Sequence, residues 1–205
     1  WKRRKLNLLC VFQFFINTFS SASQPTSYTL NEAKTGRQIQ VIEDNKALSD
    51  KLKAYNLPTK EFFVLKTAKG NELNAWILKP KDFDPSKKYP VFMYQYSGPG
   101  SQQVNNDWNG TDDYWFLSLT QQGYIVACVD GRGTGFKGAD FKKVTQKELG
   151  KYEVEDQIDA AKVIGAYPYV DASRIGIFGW SYGGFMASNC IFQGNDVFKM
   201  AIAVA

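Results

Sequence analysis

The 205 residues carry a net charge of +5, with 44% hydrophobic and 15% aromatic residues and no histidine. This composition suits one packed domain, or parts of two, and argues against disorder. The basic residues are scattered among acids with no basic block interleaved by aromatics, which argues against nucleic-acid binding.

The amino end admits two readings. Trp1-Lys2-Arg3-Arg4-Lys5, the apolar run Leu6 to Ile16 and Ser20-Ser21-Ala22-Ser23 mimic a signal peptide, although Asn7, Gln13 and Asn17 interrupt the run. The same stretch is too short and too polar to span a bilayer. The rival is a β-strand from Val11 to Phe19, rich in aromatic and β-branched residues. Short strands follow at Ser27–Leu30 and Ile39–Ile42, then a helix from Asn45 to Tyr55 that ends before Leu57-Pro58. Glu61–Thr67 and Glu72–Leu78 read as a hairpin joined by Lys69-Gly70-Asn71.

From Tyr89 onward the pattern alternates strand and helix. Apolar strands are predicted at Pro90–Tyr96, Tyr124–Val129, Arg174–Phe178 and Met200–Val204. Helices are predicted at Asp113–Gln122, at Glu153–Ala166 with Val154, Ile158, Ala161 and Ile164 or Gly165 inward, and after residue 184. Apolar strands separated by helices imply a parallel sheet covered on both faces. Cys10, Cys128 and Cys190 are odd in number and far apart, so neither a disulfide framework nor a metal spacing is present. Cys128 and Cys190 read as small buried hydrophobes.

Gly179-Trp180-Ser181-Tyr182-Gly183-Gly184 lies directly behind a predicted strand and opens a predicted helix. A serine between small residues at such a junction is a nucleophile elbow, in which the turn lifts the hydroxyl above the sheet. Ser181 is therefore the candidate nucleophile, against the plainer reading of a serine capping a helix. The Tyr182 amide would face a developing oxyanion. A second donor is expected near Tyr96-Ser97-Gly98-Pro99-Gly100, where strand alternation points Tyr94 and Tyr96 the same way and leaves both open. Gly133-Thr134-Gly135-Phe136-Lys137-Gly138 matches a dinucleotide fingerprint, but no acid ends a following strand, so it reads as a tight turn held by an Asp130–Arg132 pair. Asp156 and Asp159 read as solvated or capping residues. The tract around Asp107, Asp112 and Asp113, with Asn109-Gly110-Thr111, reads as a surface loop and a glycan acceptor only in a host that glycosylates.

A serine nucleophile needs a base, and this chain has no histidine. In hydrolases with this elbow the acid and His follow the serine in the chain, so both are expected beyond Ala205 and the 205 residues alone are expected to be inactive.

Lys88-Tyr89-Pro90, Tyr96 to Gln102, Asp130 to Gly135, Val154-Glu155-Asp156-Gln157 and Gly179 to Gly184 together resemble the dipeptidyl peptidase IV branch of the prolyl oligopeptidase family. The resemblance runs from about Leu57 to Ala205. It implies an α/β-hydrolase, a doubly wound, mostly parallel sheet broken off after the elbow, with a short β remnant of a propeller in front. Residues 1–45 would be the propeller end and linker, and residues 46–205 the first part of the peptidase domain. It further implies a serine exopeptidase releasing amino-terminal dipeptides with Pro or Ala second, through an acyl-enzyme on Ser181. Tyr96 and Tyr182 would form the oxyanion site, and Trp180 and Tyr182 would border the substrate. No cofactor or metal is implied. The partner is a peptide, with a homodimer for the intact protein, which relatives place in the periplasm, outside the cell or on a membrane anchor. Two other classes compete: a non-catalytic binding protein of hydrolase shape, which the missing His fits equally well, and a nicotinamide-dependent oxidoreductase.

Overall fold

The computed structural model describes residues 4–8 and 13–205. Cys10 and Val11, and with them the start of the amino-end reading, lie outside these. The described chain forms two compact units, residues up to Thr59 with Asn105–Trp115, and Lys60–Val104 with Phe116–Ala205.

The first unit holds an antiparallel sheet in the order β1 (Arg4–Leu8), β2 (Phe14–Ser21), β3 (Gln24–Glu32) and β4 (Gln38–Glu43), followed by α1 (Lys46–Tyr55). Residues 14–21 are thus a sheet strand, paired from Phe14↔Glu32 to Ser21↔Gln24. Helix α1 ends at Asn56, whose left-handed φ of 46° turns its N–H back onto the Lys53 carbonyl. Residues 105–115 pack here as well: the Ala22 N–H donates to Asn106 Oδ1 (2.9 Å) and the Trp108 N–H to Ser20 Oγ (3.2 Å). The tract read as a surface loop is therefore tied down, and Asp113 is buried. Its partners lie over 80 residues away, beyond the reach of a local pattern.

The second unit is a six-stranded sheet with helices on both faces. Its elements are β5 (Glu61–Lys66), β6 (Glu72–Leu78), β7 (Tyr89–Tyr94), the part of α2 (Thr111–Gln121) from Phe116 onward, β8 (Ile125–Asp130), α3 (Ala139–Lys143), α4 (Tyr152–Gly165), β9 (Val170–Trp180), α5 (Tyr182–Gln193) and β10 (Phe198–Val204). The spatial order is β10-β9-β7-β8-β6-β5. The β5–β6 hairpin turns through Gly70, whose φ of 86° suits a residue without Cβ. β6 runs antiparallel to β8, while β8, β7, β9 and β10 are mutually parallel. Numbered within the sheet, the order 1-2-4-3-5-6 with a leading hairpin is that of an α/β-hydrolase.

Side-chain alternation explains why both faces are covered. Ala75, Ile77, Val91, Met93, Ile125, Ala127, Val129, Ile175 and Ile177 form one buried cluster with Val154, Ala161 and Ile164 of α4 and Met186, Ala187 and Cys190 of α5. On the other face Trp76, Phe92 and Cys128 are buried, with Phe116 of α2 against Trp76 and Tyr94. Burial pushes the Cys190 thiol up to about 12.

Three details depart from the pattern reading. The strand before the elbow runs from Val170 rather than Arg174, and the short α3 was not anticipated. β7 stops at Tyr94 instead of Tyr96, because its pairing with β9 closes at the Gln95 N–H to Phe178 carbonyl bond and Ser97 then swings to a φ of 60°.

Candidate active site

Between β9 and α5 the chain reverses on a single residue. Ser181 has φ 55° and ψ −119°, a conformation that L residues rarely adopt and that costs on the order of 1–3 kcal/mol. Its hydroxyl is exposed and does not cap α5, so the helix-cap reading is not what the geometry supports. The turn is held through the backbone instead. The Ser181 N–H donates to the Val204 carbonyl of β10 (2.7 Å), and the N–H groups of Gly184 and Phe185 reach back to the Ser181 carbonyl.

The flanking glycines are required by contact. A Cβ on Gly179 would sit 2.2 Å from the Gly183 carbonyl oxygen, and one on Gly183 would sit 2.6 Å from the Gln95 carbonyl oxygen and 3.2 Å from the Tyr96 Cα. The first turn of α5 therefore lies directly against the segment leaving β7. That close approach brings Tyr96 beside the residue that follows Ser181. The Tyr96 and Tyr182 rings are 6.2 Å apart, and Tyr182 also meets Phe185 edge-on at 5.4 Å. Trp180 is largely exposed beside Ser181. The Tyr182 N–H, first in its helix, has no partner within that helix.

Three tyrosines crowd this region, and their hydroxyls have different fates. Tyr94 packs against Phe116 and Phe178, and its hydroxyl donates to Gln103 Oε1 (2.8 Å). The Tyr182 hydroxyl donates to Glu153 Oε1 (2.8 Å). Burial, and then the Glu153 carboxylate, push that phenol's pKa upward and keep its proton on. Tyr96 is half-buried and its hydroxyl has no hydrogen bond among the described residues. Its ring folds back over Gly98, where a Cβ would stand 2.4 Å from the ring.

The loop that carries Tyr96 is pinned by a buried acid. Asp130, at the end of β8, accepts the N–H groups of Gln103 (3.0 Å) and Val104 (2.8 Å). Burial raises its carboxyl to about 6, against the opposing pull of those two bonds. Asp130 does not pair with Arg132 as the sequence suggested. Arg132 instead grips Asp156 of α4 through both carboxylate oxygens (2.8–3.1 Å), and its own N–H adds a further bond at 2.7 Å. Asp156 is thus wholly buried, not solvated, while Asp159 is half-buried. Helical periodicity could not show this, because the cation that justifies burying Asp156 lies 24 residues earlier.

The glycine-rich turn after β8 is occupied by the protein itself. The N–H groups of Gly133 and Gly135 donate to the Phe141 and Ser101 carbonyls, and a Cβ on Gly135 would meet the Gly100 carbonyl at 2.9 Å. Those amides are not arrayed toward a phosphate.

Sequence reasoning gave no role to Gln95 or Glu153. Gln95 is wholly buried and its Nε2 donates to the Gly183 carbonyl (2.8 Å). Glu153, also wholly buried, accepts the Tyr182 hydroxyl and the Gly150 N–H (3.0 Å). A buried glutamine and an acid in the first turn of a helix carry no signal in a single sequence.

Comparison with known proteins adds to this geometry. The model of the prolyl oligopeptidase family matches residues 111–205. A probable dipeptidyl-aminopeptidase B of Paracoccidioides lutzii is 47% identical over 167 residues, 81% of this chain and 18% of that protein. Dipeptidyl peptidase 4 of Trichophyton equinum is 36% identical over 193 residues, 94% of this chain and 25% of that protein. The crystal structure of Porphyromonas gingivalis dipeptidyl peptidase 4 superposes with a TM-score of 0.92 at 48% identity, over 96% of this chain and 28% of that one. The chain thus spans a quarter or so of the length of the proteins it matches. Residues 111–205 thus carry the pattern of the prolyl oligopeptidase family, and most of the chain is similar to part of the dipeptidyl peptidases 4.

Proposed function

We propose that this chain supplies the nucleophile and the oxyanion donors of a serine peptidase that releases amino-terminal dipeptides. The observation that carries the reading is the pairing of an exposed, uncapped Ser181 on a strained turn with Tyr96, whose hydroxyl is uncommitted among the described residues. Ser181 Oγ attacks the scissile carbonyl. The developing oxyanion takes bonds from the Tyr96 hydroxyl and the Tyr182 N–H, each such donor being worth ~2.7–4 kcal/mol. Expulsion of the remaining peptide leaves an acyl-enzyme on Ser181, which water then hydrolyses. Trp180 and Tyr182 border the bound dipeptide.

A histidine base would come from outside these 205 residues, which contain none, and by resemblance the acid that orients it follows the elbow as well. Residues 1–45 are taken as the end of a β-propeller with its linker, and residues 46–205 as the leading part of the peptidase domain. The relatives' names supply the dipeptide specificity and the peptide partner, and the homodimer follows from family resemblance.

The test is labelling of the full-length protein by a fluorophosphonate. Wild type should label at Ser181 and Ser181→Ala should not; label persisting in the variant refutes the assignment. The 205 residues alone should leave a Gly-Pro reporter uncleaved, since losing the His of such a triad costs on the order of 10⁶ in kcat. A second reading, which the missing His fits equally well, is a binding protein of hydrolase shape without turnover. That reading requires the full-length protein to stay unlabelled.

A further inference from the structure

We infer that Glu153 is a positioning residue for the elbow, acting through the phenol of Tyr182. The inference rests on Ser181 being the nucleophile and assigns a task to a group that the chemistry itself does not use.

Glu153 stands in the first turn of α4 with its side chain wholly buried, and both carboxylate oxygens are engaged. Oε1 accepts the Tyr182 hydroxyl at 2.8 Å and Oε2 accepts the Gly150 N–H at 3.0 Å. Each partner touches the elbow. Tyr182 is the residue directly after Ser181, and Gly150 packs so closely on Phe185 of α5 that a Cβ would lie 2.9 Å from its ring. Gly150 has a φ of 84°, so the turn that aims its N–H at Glu153 also favours glycine.

One carboxylate therefore clamps two sides of the helix that begins at Ser181. A charge-assisted bond from a half-buried phenol to a buried carboxylate is short and directional. It fixes the Tyr182 ring between Tyr96 and Phe185, and with the ring it fixes the peptide plane whose N–H serves the oxyanion. An amide displaced by a fraction of an ångström stabilises the transition state less, with little effect on ground-state binding. The same bond keeps the Tyr182 hydroxyl from competing with Tyr96 for the oxyanion.

The experiment compares full-length wild type with Tyr182→Phe, Glu153→Gln, Glu153→Ala and the Glu153→Ala/Tyr182→Phe double variant. Fluorophosphonate labelling rate at Ser181 and kcat and KM on a Gly-Pro reporter are read beside the melting temperature. Tyr182→Phe and Glu153→Ala should each slow labelling about 10-fold, with kcat and kcat/KM falling together. The double variant should be no slower than about twofold below the worse single one, because Glu153→Ala already cuts the bond that Tyr182→Phe removes. Glu153→Gln keeps an oxygen for the phenol and should recover part of the rate. Labelling of Tyr182→Phe at the wild-type rate, or losses that multiply to about 100-fold in the double variant, overturns the inference. Should Glu153→Ala fail to fold, Tyr182→Phe and Glu153→Gln decide alone. An unlabelled wild type removes the nucleophile reading and this inference with it; a labelled wild type with an unaffected Tyr182→Phe removes this inference only.

Discussion

The side-chain amide of Gln95 donates to the Gly183 carbonyl at 2.8 Å, joining the segment that leaves β7 to the first turn of α5. Gln95 precedes Tyr96 and Gly183 follows Tyr182, so this bond spans the two proposed oxyanion donors. Gln95 Oε1 is itself buried without a partner among the described residues. Gln95→Leu removes an unsatisfied acceptor along with the bond, and should shift unfolding free energy by less than about 1 kcal/mol. Turnover should nevertheless fall about 10-fold, because the donors lose their tie. Denaturant titration and steady-state kinetics on the same sample check both halves; an unchanged kcat would refute the coupling.

Backbone strain at Ser181 can be measured by what replaces it. Ser181→Ala and Ser181→Gly both delete the hydroxyl, but only glycine is at ease at φ 55°. Ser181→Gly should be the more stable of the two by on the order of 1 kcal/mol. A melting comparison in which the alanine variant equals or exceeds the glycine variant argues against strain.

The Arg132–Asp156 pair is buried on the Asp156 side and only 17% exposed on the other. Losing Asp156 cuts the hydrogen bonds from Arg132 to a wholly buried carboxylate and leaves the guanidinium only its looser Glu155 contact at 3.5 Å. Asp156→Ala should therefore destabilise the protein by about 3–5 kcal/mol, far beyond the ~0–1 kcal/mol of an exposed pair. The exposed Lys151–Glu148 pair is a suitable control. Equal melting shifts for Asp156→Ala and Glu148→Ala would contradict the burial argument.

Asp130 makes stability depend on pH with a definite sign. Its folded carboxyl titrates at about 6, above its usual value near 3.8, so the folded state holds the proton more tightly. That contribution is complete below about pH 4 and is lost as pH rises through about 6. A shift of about two units corresponds to on the order of 3 kcal/mol. Asp130→Asn cannot titrate and should show a flatter stability profile between pH 4 and 7. A profile as steep as wild type would place the titrating group elsewhere.

Much of the architecture could be read from local pattern. The hairpin around Gly70, the apolar strands and the turn at Gly179–Gly184 each follow from residues a few positions apart. The elbow was legible because part of its steric demand is local, Gly179 standing against the Gly183 carbonyl. Strand ends were less so: β7 breaks off at Tyr94 since the register with β9 expires there, and that register belongs to another part of the chain. Tyr94 and Tyr96 were equivalent by alternation. They are separated by Gln103, which takes one hydroxyl, and by Gly98, which lets the other ring fold back.

Residue chemistry and spacing alone determined the fold class, the serine on its turn and the absence of an imidazole to activate it. Only the tertiary structure decided which charges are inside and what holds them. Asp156 was indistinguishable from a solvated helix residue until Arg132 stood against it, and Glu153 until Tyr182 did. The reason is energetic: burying a carboxylate is tolerated only where a donor from a distant segment meets it, and such meetings exist in space, not along the chain.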